Sequence, residues 1–140
     1  MLELDCVNKF FQSNHIVKDA SMKVKEGEFV SLLGPSGCGK TTTLRMIAGF
    51  EDVSSGRIFL NDIDITKYPP FNRDTGMVFQ NYALFPHMTV LQNISFGLKM
   101  RKKSKQDITK KSLNALKLIR LDKFADRMPH QLSGGQQQRV

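Results

Sequence analysis

Eight consecutive residues, Gly34 to Thr41, carry the most recognisable chemistry in this sequence. They read G-P-S-G-C-G-K-T and fit the pattern G-x-x-x-x-G-K-[ST], whose glycines let backbone N–H groups approach phosphate oxygens closely. Lys40 would place a positive charge at the β- and γ-phosphates, and the Thr41 hydroxyl would ligate Mg²⁺. The pattern therefore predicts a nucleoside triphosphate site, with contacts from Gly34, Ser36, Gly37, Cys38, Gly39, Lys40, Thr41 and Thr42.

A second segment, Leu132 to Gln136, reads L-S-G-G-Q. A serine hydroxyl, two glycines and the start of a new helix would together form another site for negative charge. The glycines alone are equally compatible with a turn that caps a structural helix. The whole string, downstream of a phosphate loop in the same chain, favours the phosphate-related interpretation.

The elements next to the first motif suit its role. The apolar run Phe29–Leu33 predicts a buried strand that leads into the loop. Residues Lys40–Ala48 predict a helix with Leu44, Ile47 and Ala48 on its inner side, ended by Gly49. A strand, a phosphate loop and a helix in this order are the context that the motif requires.

Other signals predict the remaining elements. Alternating residues from Leu2 indicate an opening strand, Asn61-Asp62 a hairpin turn, and the apolar run Met77–Phe79 a strand that ends at Gln80. Helical spacing follows from Thr89. Ser104 is expected to cap a helix that turns Ile108, Leu116 and Ile119 inward, and Ser133 is expected to cap a last one.

Composition indicates one soluble globular domain of 140 residues, with 40% hydrophobic and 24% charged residues. No apolar run is long enough to span a bilayer, and Cys6 and Cys38 are too few for a disulfide scaffold. The net charge of +8 owes much to the run Arg101–Lys105 with Lys110 and Lys111. We interpret this run as a solvated helix face, because no aromatic residues interleave with it as nucleic-acid binding would require.

With both motifs in place, the whole chain resembles the nucleotide-binding subunits of ABC transporters, whose signature reads L-S-G-G-Q. The resemblance implies an α/β fold, the P-loop NTPase of the ABC ATPase type. It would have an antiparallel β subdomain, a strand-loop-helix phosphate site and a helical signature subdomain. The strings Gly34–Arg45, Gly76–Phe96 and His130–Val140 are most similar to spermidine/putrescine import ATPases, and sugar and ferric-iron importers share nearly the same strings.

The resemblance also implies cofactors, partners and a location. ATP and Mg²⁺ would be bound in a head-to-tail dimer, in which Leu132, Ser133, Gly134, Gly135 and Gln136 close on the nucleotide of the second subunit. Transmembrane permease subunits would be direct partners and a solute-binding protein an indirect one, with no nucleic acid. The expected location is cytoplasmic, on the inner face of the cell membrane.

Two further positions match the family. Gln80 is similar to the Q-loop glutamine, which reaches Mg²⁺ and the attacking water, so that Gln80 and Lys40 become the catalytic candidates. Phe11 stands where the family places an aromatic residue against adenine. An ordinary loop glutamine remains the alternative for Gln80. Phe10 could replace Phe11 as the stacking ring, and either ring could belong to the core.

The segment after Gln80 is unusually apolar for a loop. Tyr82, Leu84 and Phe85 could line the groove that, in the family, receives a coupling helix of the membrane subunit. Packing within the helical subdomain is the competing interpretation of the same side chains.

The family's Walker B strand, D-loop and switch histidine have no counterpart in the 140 residues, because His15, His87 and His130 all precede the signature. We therefore expect residues 1–140 to be an incomplete nucleotide-binding domain that is inactive alone and poorly soluble. The alternatives are a soluble ABC ATPase acting on ribosomes or nucleic acid, and a catalytically inactive truncated fragment.

Overall fold

The computed structural model describes residues 1–79 and 83–140. They form two compact units, Met1–Met77 and Val78–Val140. The first unit contains a sheet and one helix, and the second is helical. None of the helices in the described part of the chain is both long and apolar enough to cross a membrane.

The sheet of the first unit has four antiparallel strands in the order β2-β1-β3-β4. Their bounds are Leu2–Phe11 for β1, Asn14–Val24 for β2, Ser55–Leu60 for β3 and Ile63–Asp64 for β4. The predicted opening strand is thus confirmed as β1. The predicted hairpin is β3–β4, where Asn61 and Asp62 have positive φ angles of 48° and 64°, as a tight hairpin turn requires.

Helix α1, Lys40–Ala48, packs on this sheet and is the predicted helix. Gly49 ends it in the left-handed conformation, also as predicted. Its buried face is as predicted at Ala48, which is buried, and at Ile47, which is half-buried. The prediction is wrong at Leu44, which is half-exposed, whereas Met46 is fully buried. Both residues are apolar and two positions apart, so sequence alone could not choose the face. The core of the unit is formed by Leu4, Val7, Val17, Met46, Ile58 and Ile65.

Two predicted strands are absent. Neither Phe29–Leu33 nor Met77–Phe79 is paired into a sheet among the described residues, and Phe29, Leu33 and Val78 are largely exposed. An apolar run becomes a strand only when a neighbouring strand satisfies its backbone N–H and C=O groups. Neither run forms a ladder with a described strand. The strand-loop-helix prediction therefore holds only for the loop and the helix.

The second unit contains α2 (Val90–Met100), α3 (Lys105–Leu118) and α4 (Gly134–Arg139), with short 3-10 turns between α3 and α4. Thr89, Ser104 and Ser133 cap these helices, which confirms both predicted serine caps. Leu116 is buried as predicted, and Ile108 and Ile119 are half-buried. The core of this unit consists of Val90, Leu116, Leu121 and Leu132.

Candidate functional site

The phosphate loop depends on glycine at two positions in particular. Gly39 precedes α1 with a φ of 91°, and a Cβ atom there would lie 2.9 Å from the carbonyl oxygen of Ile16 on β2. Gly37 has a φ of 83°, yet no atom would lie within 4 Å of its added Cβ. The loop is thus packed against the sheet at Gly39 and open at Gly37, where a ligand can approach the backbone.

Lys40, the first residue of α1, holds the loop in a curled conformation. Its Nζ donates to the carbonyl oxygens of Gly34 at 2.8 Å and Pro35 at 2.6 Å. The same ammonium lies 3.4 Å from Cys38 Sγ. The positive charge is therefore fixed inside the loop, at the N-terminal end of a helix that already favours anions.

The three threonines that follow Lys40 differ in environment. Thr41 is exposed in the first turn of α1, and Thr42 is half-buried. Thr43 is buried, and its hydroxyl donates to the carbonyl oxygen of Gly39 at 3.0 Å. Thr43 therefore stabilises the loop, whereas Thr41 is the threonine that is accessible from solvent.

An open groove of about 600 Å³ lies beside the loop. Residues of β2, residues 31–33 and the loop line it, and two of the lining residues are Lys18 and Lys40. No acidic residue lines the groove. Its two cations and its exposed backbone suit an anionic ligand of the size of a polyphosphate.

The two adjacent aromatic residues at the end of β1 have different neighbours. Phe10 stacks on His15, with ring centroids 4.0 Å apart and an interplanar angle of 12°. Phe11 has the ammonium of Lys9 4.8 Å from its ring centroid. Both residues are 44% exposed, so neither belongs to the core.

The L-S-G-G-Q segment opens helix α4 in the second unit. Ser133 Oγ accepts from the backbone N–H of Gln136 at 3.3 Å, and Gln136 Oε1 accepts from the backbone N–H of Ser133 at 2.9 Å. Leu132 is buried in the core, whereas Gly134 and Gly135 are exposed. The segment therefore caps a helix and presents glycine backbone to solvent, whereas its role at a phosphate stays a prediction.

Two of the candidate residues, Gln80 and Tyr82, lie outside the described residues. Of the other two residues of the apolar segment, Leu84 is half-buried and Phe85 packs its ring on Phe96 of α2 at 4.6 Å. The Phe85 contact favours packing within the helical unit for that ring. About a third of Phe85 remains exposed.

Two buried cations at the C-terminal end of α1 could not be identified from the sequence. Lys9 pairs with Glu51, the two side-chain atoms being 2.6 Å apart. Arg73 donates to backbone carbonyl oxygens at the end of α1. Burial lowers the pKa of Arg73, and the charge of Asp52 acts in the opposite direction. No local signal marks either residue, since their partners lie far away along the chain.

Comparison with known proteins adds to this geometry. The family model described as ABC transporter matches residues 17–140. Over its whole length the chain is 51% identical to the spermidine/putrescine import ATP-binding protein PotA of Photobacterium profundum and 52% identical to that of Escherichia coli strain K12. It spans 38% and 37% of these relatives, so it corresponds to little more than a third of their length.

Solved structures agree with the family model. A dimeric ATP-binding cassette with bound ADP and inorganic phosphate is 35% identical, with a TM-score of 0.88 over 99% of this chain and 66% of that one. A dimeric bacterial ABC transporter cassette is 33% identical, with a TM-score of 0.84 and the same coverage. With a matching fold and a family model that covers residues 17–140, the chain belongs to the ABC transporter family.

Proposed function

We propose that residues 1–140 belong to the ATP-binding subunit of an ABC importer, which powers uptake of a polyamine such as spermidine or putrescine through a membrane permease. The observation that supports this proposal most is the pair of hydrogen bonds from Lys40 Nζ to the carbonyl oxygens of Gly34 and Pro35. It fixes a cation within a glycine loop at a helix start, which is the arrangement that binds the phosphates of a nucleotide. The polyamine is inferred from the relatives.

The residues of the loop suit MgATP. Lys40 would bind the β- and γ-phosphates, backbone N–H groups from Gly37 to Thr41 would surround them, and the exposed Thr41 hydroxyl would hold Mg²⁺. Ser36, Cys38 and Thr42 would add contacts. Bound Mg²⁺ supplies charge neutralisation at the phosphates. Gln80 is proposed to orient the attacking water.

The signature segment is proposed to act on the nucleotide of a second subunit in a head-to-tail dimer. Ser133 accepts from Gln136 N–H and keeps its own O–H proton for donation to a phosphate oxygen. Gly134 and Gly135 leave the backbone accessible, and Leu132 anchors the segment in the core. The solved relatives are described as dimeric, which supports this arrangement.

The remaining partners follow from the proposed role. Tyr82, Leu84 and Phe85 would contact a permease subunit at the inner face of the cell membrane, and the solute-binding protein would be an indirect partner. An ATPase acting on ribosomes or nucleic acid is not favoured, because the named relatives are import proteins. The basic residues from Arg101 to Lys111 are exposed around the start of α3, as a solvated face would be.

A chimera tests the proposal. The matching segment of the Escherichia coli relative, which is 52% identical, would be replaced by residues 1–140 in cells that lack their own copy. We expect the chimera to restore uptake of radiolabelled spermidine and the Lys40→Ala chimera to lose it by at least about a hundredfold, since phosphate binding is lost.

A matched chimera in a maltose-type import ATPase serves as the specificity control. Uptake of sugar but not of spermidine would contradict the polyamine assignment alone. Spermidine uptake that survives Lys40→Ala would contradict the proposed role of the phosphate loop.

A further inference from the structure

We propose that Lys9 is a positioning residue for base recognition: it fixes the ring of Phe11 as the surface on which the base of the bound nucleotide stacks. The inference rests on the proposed function, since it requires a nucleotide at the phosphate loop. It goes further by naming the residue that orients the stacking ring and by choosing between Phe10 and Phe11.

The ammonium of Lys9 is tightly held. Its Nζ lies 2.6 Å from Glu51 Oε1 and donates to the carbonyl oxygen of Asp52 at 2.7 Å. Lys9 is only 8% exposed, so its charge is stabilised by these partners and not by water. An ammonium anchored in this way has little freedom to leave its position.

This fixed cation covers one face of the Phe11 ring. The distance of 4.8 Å from Nζ to the ring centroid is well within the range of a cation–π interaction. Phe11 is nevertheless 44% exposed, so part of the residue remains open to a ligand. A ring that is held by a fixed cation and is still accessible is preorganised, because stacking a base costs it little rotamer entropy.

Phe10 is in a different situation. Its ring already stacks on His15, almost parallel and 4.0 Å away. The Nε2 atom of His15 is hydrogen-bonded to Asn8 Oδ1 at 2.7 Å, so the imidazole is fixed as well. Phe10 therefore has an aromatic partner within the chain, and Phe11 is the ring left to stack on a base.

The residues that hold Lys9 also connect the ring to the phosphate loop. Glu51 and Asp52 follow the end of α1, the helix that begins at Lys40. Two residues later, Ser54 Oγ accepts from the backbone N–H of Phe10 at 2.9 Å, and Ser54 N–H donates to the carbonyl oxygen of Asn8 at 2.8 Å. The segment after the phosphate-loop helix thus fixes the strand end that carries Phe11. Phe11 and the phosphate loop belong to the same compact unit, Met1–Met77.

The test separates the contribution of the base from that of the phosphates. The chain contains no tryptophan, so Phe11→Trp provides a single fluorescent reporter at the ring. Its emission would be titrated with ATP and with inorganic tripolyphosphate, each with Mg²⁺, with Lys9 intact or replaced by Met. We expect Lys9→Met to weaken ATP binding by about three- to tenfold, because the released Phe11 ring must then be ordered when the base binds, at the cost of immobilising one side chain. Tripolyphosphate affinity, measured by calorimetry, should stay within about twofold.

A second lysine offers a matched control. Lys23 on the same sheet pairs with Glu3 at 2.9 Å but is exposed, so Lys23→Met should leave the affinity for both ligands unchanged. Calorimetry should also show no additional loss when Lys9→Met is added to Phe11→Leu. Lys9→Arg keeps a cation over the ring and should restore most of the ATP affinity.

Several outcomes would overturn the inference: equal losses for ATP and tripolyphosphate, additive losses for Lys9→Met and Phe11→Leu, or a folded Lys9→Arg protein as weak as Lys9→Met. If Lys9→Met does not fold, Phe11→Leu must still show the loss for ATP alone.

Lys40→Ala distinguishes the two proposals, because it should abolish binding of both ligands. If it does so while Lys9→Met changes neither affinity, only the inference about Lys9 fails. If the unmodified chain binds neither ligand, the proposed function fails with it.

Discussion

Arg73 is a buried cation whose hydrogen-bond acceptors are neutral carbonyl oxygens. Its guanidinium donates to Met46 at 2.6 Å, Ile47 at 2.8 Å, Tyr68 at 2.8 Å and Thr66 at 3.1 Å. Met46 and Ile47 lie in the last turn of α1, where the helix dipole favours positive charge. Arg73 therefore caps the C-terminal end of the helix whose first residue is Lys40.

We predict that Arg73→Met destabilises the chain by about 2–4 kcal/mol, because the substitution removes the donors that a buried side chain supplies to four backbone carbonyl oxygens. Urea unfolding measures the change. Arg57→Met is the matched control, since Arg57 is exposed on β3, and it should stay within about 0.5 kcal/mol. The loss of stability for Arg73→Lys should lie between those for Arg73→Met and Arg57→Met, because an ammonium keeps the charge but cannot reach all four acceptors. Equal stability of the Met and Lys variants would argue against the capping role.

At the scale of elements, the helices of the second unit depend on their N-caps. Thr89 Oγ1 accepts from the backbone N–H of Gln92 at 3.2 Å, and Gln92 Oε1 accepts from the backbone N–H of Thr89 at 2.9 Å. This reciprocal pair satisfies two N–H groups that the helix itself cannot. Thr109 is a contrasting threonine in the middle of α3, where its hydroxyl donates to the carbonyl oxygen of Lys105 at 3.0 Å.

We predict that Thr89→Ala costs about 1 kcal/mol of stability, the typical loss for an N-cap. Thr109→Ala should be neutral or slightly stabilising, by up to about 0.5 kcal/mol, since alanine has the higher helix propensity and the lost bond competes with the backbone. Chemical denaturation followed by far-UV circular dichroism compares the two alanine variants directly. If Thr89→Ala and Thr109→Ala lost similar amounts of stability, the reciprocal cap at Thr89 would contribute no more than the single hydroxyl bond of Thr109.

The elements that the sequence predicted are those with local signals. Helix α1 ends at a glycine, α3 and α4 begin at capping serines, and the β3–β4 turn uses two residues that tolerate positive φ. Phe29–Leu33 carries an equally clear apolar run, yet it is no strand. Whether an apolar run pairs depends on a neighbouring strand, which its own residues cannot reveal.

The candidate site likewise contains residues that a local motif predicts and residues that no local signal marks. The phosphate loop and the signature are contiguous motifs, so the sequence alone can predict them. Lys9 reaches Asp52, 43 residues away, and Arg73 reaches Met46, 27 residues away. Such contacts are determined by the packing of the first unit and leave no local pattern.

At the scale of the whole molecule, the surface of the first unit contains an exposed apolar segment. Phe29 is 92% exposed, Leu33 is 89% exposed and Val30 is half-exposed, all within five residues. No strand pairs with this segment in the described part of the protein, so its backbone is open to pairing as well. Exposed apolar side chains on an open backbone edge favour association between copies.

We therefore predict that the 140-residue chain self-associates and that Phe29→Gln combined with Leu33→Gln suppresses this association without changing the net charge of +8. Sedimentation velocity should show a weight-average sedimentation coefficient that rises with concentration for the unmodified chain and stays nearly constant for the double variant. Leu118→Gln is the matched control, because Leu118 is equally exposed but stands alone at the end of α3. It should associate like the unmodified chain, since a single exposed leucine on a helix offers neither a continuous apolar surface nor free backbone groups. A monodisperse unmodified chain, or equal suppression by Leu118→Gln, would show that the segment from Phe29 to Leu33 does not drive association.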